Sequence, residues 1–245
     1  GSNNPINVDK FMQKVSKGRF KLAEVKIDDW YKLDTSSIPT EEVCDVFTVT
    51  EIINQINSQF NANVYNPKYQ SLIFLIDADC YRGGRADSRF ETGQGYIYLS
   101  VGAYKEGVII HEMGHNLDIH HANSYDCGAE SYALQSKCTT KEYGNPFSVL
   151  GLDVYDSLFR EFSGAERVKA GWINSSEITK VTQNGNYTIY PLSENSNQPK
   201  VLEIIKNDIS PDERYYIDFR LPNDPFDKLD NDLYDGGDVT GVGIQ

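Results

Sequence analysis

All four histidines of this 245-residue chain, His111, His115, His120 and His121, fall within the eleven-residue segment HEMGHNLDIHH. Scattered core or surface histidines do not cluster in this way. His111 and His115 stand four apart, so on a helix their imidazoles leave one face about a turn apart and can reach a single cation. Zinc suits such a set, because neutral imidazole is its usual ligand and three protein ligands leave a fourth position for water. Glu112 lies one residue round the helix, placed to take a proton from that water as it attacks a peptide carbonyl and to return it to the leaving amine. The expected chemistry is metal-assisted hydrolysis of a peptide bond. The bland alternative is an amphipathic helix carrying incidental histidines.

A third ligand has to come from beyond the helix. If the helix ran on past His115, His121 would swing away from the metal, so the chain must turn near residue 118. In the extended pattern HExxHxxGxxH a glycine makes this turn, because it accepts left-handed backbone dihedrals. Here the position is Asp118. Aspartate tolerates the left-handed region better than most residues, at a cost of about 1 kcal/mol. His121 is therefore the expected ligand and His120 its neighbour. The competing arrangement keeps the helix running and takes a downstream carboxylate, with Glu130 the candidate.

The elements that must position these residues read as an α/β pattern. Gly18 to Val25 has the composition of a strand, Thr48 to Phe60 carries apolar residues at helical spacing, and Ser71 to Ile76 reads as a buried strand. A loop rich in Gly, Arg and Asp, Ala78 to Gly95, precedes a strand expected over Tyr96 to Val101. From about Ala103 a helix is expected, with Ile109, Met113 and Leu117 forming one apolar stripe against the core. After residue 121 the chain becomes loop-rich, with a short helical pattern near Ser157 to Ala170. It ends in segments read as antiparallel strands, Asn186 to Leu192 after an Asn184-Gly185 turn, Val201 to Lys206 and Arg214 to Leu221, followed by a strand-like final GVGI.

Composition sets the surroundings. Hydrophobic residues make up 39% and charged residues 24% of the chain, which is ordinary for a globular protein and long enough for one substantial core. The longest apolar run, Ser71 to Ile76, is far too short to cross a bilayer, so no membrane span is expected. A formal net charge of −13 repels phosphate backbones, which argues against nucleic acid as a partner. The four cysteines, Cys44, Cys80, Cys127 and Cys138, form no CxxC pair and read as disulfides. Three pairings are open. Cys127 with Cys138 and Cys44 with Cys80 are favoured, since each closes a loop of plausible length; the alternative is four buried thiols in a cytosolic protein. The Gly1-Ser2 start reads as a cloning remnant, so no signal peptide is expected to be legible.

With these residues in place, the chain resembles the metzincin clan of zinc peptidases, and within it the gametolysin family, with similarity to the immune inhibitor A peptidases. HEMGHNLDIHHA is similar to the family's HExGHNLGxxHA segment, and EYGNPFSVLG (Glu142 to Gly151) to the stretch ending in the clan's methionine turn beneath the metal. Weaker matches occur along the chain: VSKG at 15–18, AGWI at 170–173 followed by NGNYTIYPL, and YYIDFRLPNDPFD. Two departures stand out. Asp118 replaces the turn glycine, and Leu150 occupies the methionine position, a mild exchange for an apolar floor. The position of the clan's switching tyrosine is Leu152, so none is assigned and Tyr155 is read as an ordinary aromatic.

The resemblance implies a metzincin-like α/β (α+β) catalytic domain: a twisted mixed sheet and active-site helix in an upper subdomain (1–121), a loop-rich lower subdomain (122–170), and a β-rich part (171–245) packed on the catalytic unit. It implies His111, His115 and His121 as zinc ligands, Glu112 as the catalytic carboxylate, and a secreted, monomeric endopeptidase acting on extracellular proteins or peptides. It also implies a strand that pairs with substrate, for which Tyr96, Ile97 and Tyr98 are the candidates beside the alternative of an ordinary interior strand. The aspartates at 224, 227, 230, 232, 235 and 238 offer hard oxygen ligands for calcium but lack the spacing of a binding loop, and a solvated acidic loop is the preferred reading. Two rival functions remain open: a zinc hydrolase of a non-protein amide, and a secreted binding module that retains zinc without turnover.

Overall fold

The computed structural model of the protein describes residues 7–23, 25–27, 29–34, 49–60, 71–77, 84–87, 95–100, 105–129, 137–151, 160–205, 214–221 and 241–244. In chain order the elements are helix α1 (Val8–Val15), helix α2 (Val49–Phe60), strands β1 (Ser71–Ile76), β2 (Gly84–Asp87) and β3 (Gly95–Ser100), helix α3 (Glu106–Asn116), strands β4 (Ser124–Asp126) and β5 (Thr139–Lys141), helix α4 (Gly164–Lys169), and strands β6 (Ile178–Val181), β7 (Val201–Ile205), β8 (Arg214–Arg220) and β9 (Gly241–Ile244). This is mixed α and β structure with small sheets and few helices. No helix among the described residues is long and apolar enough to cross a membrane.

The chain divides into two units, Leu22–Asp118 and the combination of Gly1–Lys21 with Ile119–Gln245. The expected parts 1–121, 122–170 and 171–245 are thus cut differently, because the amino-terminal helix belongs with the carboxy-terminal half. Its apolar face, Phe11, Met12 and Val15, is buried, and Phe11 meets Phe162, which meets Trp172 edge-on. Lys14 pairs with the buried Glu161 at 2.9 Å, and Lys17 pairs with the fully buried Glu177. Such buried carboxylates require a cation close by.

In the unit Leu22–Asp118 the sheet order is β1-β3-β2, with β1 parallel and β2 antiparallel to β3. One face is covered by α2, whose Ile52 and Ile56 pack against Phe74 and Tyr98. The other face receives α3. Gly84 of β2 stands opposite Leu99 of β3, so both look to the same side. A Cβ at Gly84 would meet Glu112 Oε1 at 2.5 Å and Val108 at 2.9 Å on α3, so only glycine lets the strand lie this close. The stretch expected as a strand from Gly18 to Val25 forms none over its described residues. It holds a turn through Lys17 and Gly18, both at positive φ, and then irregular chain.

In the other unit, β6-β7-β8-β9 form a four-stranded sheet in which β6 and β7 are parallel and the rest antiparallel. The segments at β7 and β8 pair antiparallel as expected, whereas β6, a strand that the sequence did not point to, lies parallel to β7. Asn186 to Leu192, expected as a strand, is irregular, and is tied down by single bonds from Tyr190 N–H to the Pro199 carbonyl and from Leu192 N–H to the Phe219 carbonyl. Helix α4 opens with a capping box between Ser163 and Glu166 and packs against β8.

Candidate metal centre

Helix α3 carries the first two histidines. Glu106 in its first turn suits the helix dipole. The expected stripe of Ile109, Met113 and Leu117 is only partly realised: Met113 is buried, whereas the other two are half-buried. Instead Val108, Ile110, His111, Glu112, Met113, Gly114 and Asn116 are all buried, so the helix is enclosed round most of its girth and a single stripe underdescribes it. Asn116 fastens its end, donating to the Tyr96 carbonyl at 3.2 Å while its Oδ1 accepts from the Ser71 hydroxyl at 3.1 Å. The rings are thereby held in place relative to β1 and β3.

After Leu117 the backbone leaves the helix at Asp118, whose φ is +61°. Its N–H donates to the His115 carbonyl at 2.9 Å, the bond of a left-handed helix stop. Aspartate thus occupies the conformation that glycine usually supplies. Because 111–121 is one unbroken stretch, this local path brings the third histidine back: ligand atoms of His111, His115 and His121 lie within 4.8 Å of one another. His111 Nε2 and His115 Nε2 are 3.1 Å apart with their rings nearly perpendicular. Two imidazole nitrogens on a tetrahedral ion with bonds of about 2.05 Å would be separated by about 3.3 Å. The group can hold a metal ion. His120, by contrast, is exposed and outside the group.

Glu112 supplies a second mark of an ion. It is 5% exposed, its Oε2 has no hydrogen-bond partner among the described residues, and burial pushes its carboxyl up to about 8. A buried carboxylate without a counter-charge is costly, and a divalent cation beside the two flanking histidines would offset that cost. The donor set therefore fits a divalent metal, with three imidazoles matching zinc among other first-row ions.

His121 is oriented by the stretch of chain that runs from β4 to Gly151. Strands β4 and β5 form a hairpin whose far end is closed by the Cys127–Cys138 disulfide, one of the expected pairings. Beyond β5 the chain runs back beside residues 121–123: Glu142 Oε1 lies 2.7 Å from His121 Nδ1, and the Tyr143 ring covers His121 with centroids 3.9 Å apart. The N–H of Asn145 donates to the Ala122 carbonyl at 3.0 Å, and the N–H of Ala122 to the Leu150 carbonyl at 2.8 Å. Leu150 is fully buried. Its turn is tight, since a Cβ on Gly151 would run into the Asn145 carbonyl. Buried polar groups fix it from outside: Ser148 donates to Glu166 at 2.6 Å, Arg160 to the Pro146 carbonyl at 2.9 Å, and Arg220 to the Phe147 carbonyl.

Tyr96, Ile97 and Tyr98 lie on β3, whose two edges are occupied by β1 and β2 in this stretch. The interior-strand alternative describes them, and no edge is left there for a peptide to pair with. Glu130, Leu152, Tyr155, the aspartates at 224–238 and the Cys44–Cys80 pairing lie outside the described residues. Glu142 and Tyr143 were not singled out by sequence, although a signal existed. Counting inward from a Cys127–Cys138 hairpin sets Ser124 opposite Lys141 and so carries residue 142 toward the ligand segment. No family model matches the chain, and no solved structure matches it.

Proposed function

We propose that the chain is a zinc-dependent endopeptidase of metzincin type that cleaves extracellular proteins or peptides. The observation that carries this reading is the convergence of His111, His115 and His121, with Glu112 next to His111 on the same helix carrying a buried carboxyl whose Oε2 has no partner among the described residues. The left-handed Asp118 supports the metzincin assignment, because it allows the third histidine to return as the extended motif requires. The Cys127–Cys138 disulfide supports an oxidising, extracellular setting.

His111, His115 and His121 would hold the ion. Zinc there supplies Lewis-acid polarisation of the scissile carbonyl and of the attacking water. Glu112 accepts the proton from the water and delivers it to the departing amine, so the same carboxyl serves as base and then as acid. Enclosure of Glu112 by α3 and β2 keeps bulk water from competing for that proton.

Metal analysis combined with casein digestion tests the reading on wild type, Glu112→Ala and His121→Ala. Wild type should carry one zinc and cleave, Glu112→Ala should retain zinc without cleaving, and His121→Ala should lose zinc. Stoichiometric zinc with no cleavage of any peptide, unchanged by Glu112→Ala, would favour a zinc-retaining binding module instead.

A further inference from the structure

The third ligand differs from the first two in how it is supported. His111 and His115 are fixed by a buried helix, whereas His121 lies past the turn, on irregular backbone and with a side chain 24% exposed. A ligand in such a place is oriented only by its neighbours. Two are supplied by one dipeptide: Glu142 engages Nδ1 at 2.7 Å, and Tyr143 lies against the ring face. Tyr143 itself sits at φ +57°, an unusual backbone for an aromatic residue, and its N–H donates to Asn123 Oδ1 at 3.2 Å. The dipeptide is thus tied through Tyr143 to Asn123, two residues past the histidine it touches.

A carboxylate accepting from Nδ1–H selects the tautomer whose Nε2 carries the lone pair, and it stops the ring from rotating. Both effects favour metal ligation before any ion arrives. We propose that Glu142 is the positioning residue for His121, setting the affinity of the site for its metal. The proposal rests on the zinc reading above and names a residue to which that reading gives no role. Glu142 is 65% exposed at its side chain, so its share is expected at the lower end of the tenfold to hundredfold range measured for outer partners of metal-ligating histidines.

Zinc affinity of the full chain, measured by competition with a fluorescent chelator, tests this on wild type, Glu142→Ala and Glu142→Gln. Glu142→Ala should bind about tenfold more weakly, with the melting temperature of the metal-free protein unchanged. Glu142→Gln keeps an acceptor oxygen and should recover most of the loss. Long-range 1H–15N spectra of the metal-free protein should show His121 as the Nδ1–H tautomer in wild type and a mixture in Glu142→Ala. Unchanged zinc affinity in Glu142→Ala overturns the proposal while leaving the zinc reading intact, and so does a Gln variant as weak as Ala. A wild-type chain that takes up no zinc overturns both.

Discussion

Replacement of Asp118 puts the returning turn to a quantitative test. Were α3 to continue, His121 would stand six residues beyond His115, about 9 Å further along the axis and about 240° round it, out of reach of a shared ion. What prevents this is one residue at φ +61°. Alanine there pays about 1 kcal/mol more than aspartate for the left-handed conformation, and it gains about 0.6 kcal/mol over aspartate if the helix runs on. Together these disfavour the turn by about 1.6 kcal/mol. If that comes wholly out of the population competent to bind, zinc affinity falls by about fifteenfold. Glycine reverses both contributions, so Asp118→Gly should bind zinc as tightly as wild type or up to about fivefold more tightly. Chelator competition at fixed pH, with circular dichroism to detect helix extension, reads both variants. Asp118→Ala with wild-type affinity, or Asp118→Gly with weaker binding, would refute the argument that the backbone at 118 delivers the third ligand.

Three further outcomes are expected. Glu112→Gln should keep zinc and lower kcat for casein by at least about a hundredfold, since it retains shape but cannot take a proton; a kcat within threefold of wild type would remove Glu112 from the reaction. Gly151→Ala should destabilise the protein by about 1–3 kcal/mol in urea melts, because its Cβ meets backbone rather than a movable side chain. Glu161 is predicted to govern part of the acid limb of stability: burial alone would raise its carboxyl, but Arg167 and Lys14 outweigh burial and hold it below the ordinary carboxylate range. A lowered folded value means stability that is present above the unfolded value near 4.5 and lost as pH falls through the folded one. Urea midpoints of wild type should therefore drop below about pH 4.5, and Glu161→Gln should flatten that drop; equal slopes would dismiss the assignment.

What could be read in the sequence divides along physical lines. His111, Glu112 and His115 declare themselves because helical spacing turns sequence distance into spatial distance, and the need for a bend at Asp118 comes from the same geometry. The helix beginning at Val49 and the strand Ser71–Ile76 were legible for similar reasons. Strand β2 was hidden inside a Gly-, Arg- and Asp-rich stretch, because its place depends on Gly84 fitting against Glu112 and Val108 rather than on local preference. Asn186 to Leu192 failed in the opposite sense: alternation and a turn signal were present, yet only isolated backbone bonds formed. The parallel pairing of β6 with β7 leaves no local trace at all.

The hairpin of β4 and β5 pairs only three residues on each strand, too few for side-chain patterning to choose one alignment over its neighbour. A slip of one position would carry Glu142 about 3.4 Å along the strand direction and turn it to the other side, away from His121. The Cys127–Cys138 bond sits just beyond the Asp126–Thr139 pair and admits a single alignment. In that light the disulfide is a ruler as much as a brace: it measures out the chain from its own position to residue 142, so that one carboxylate arrives where a histidine needs it.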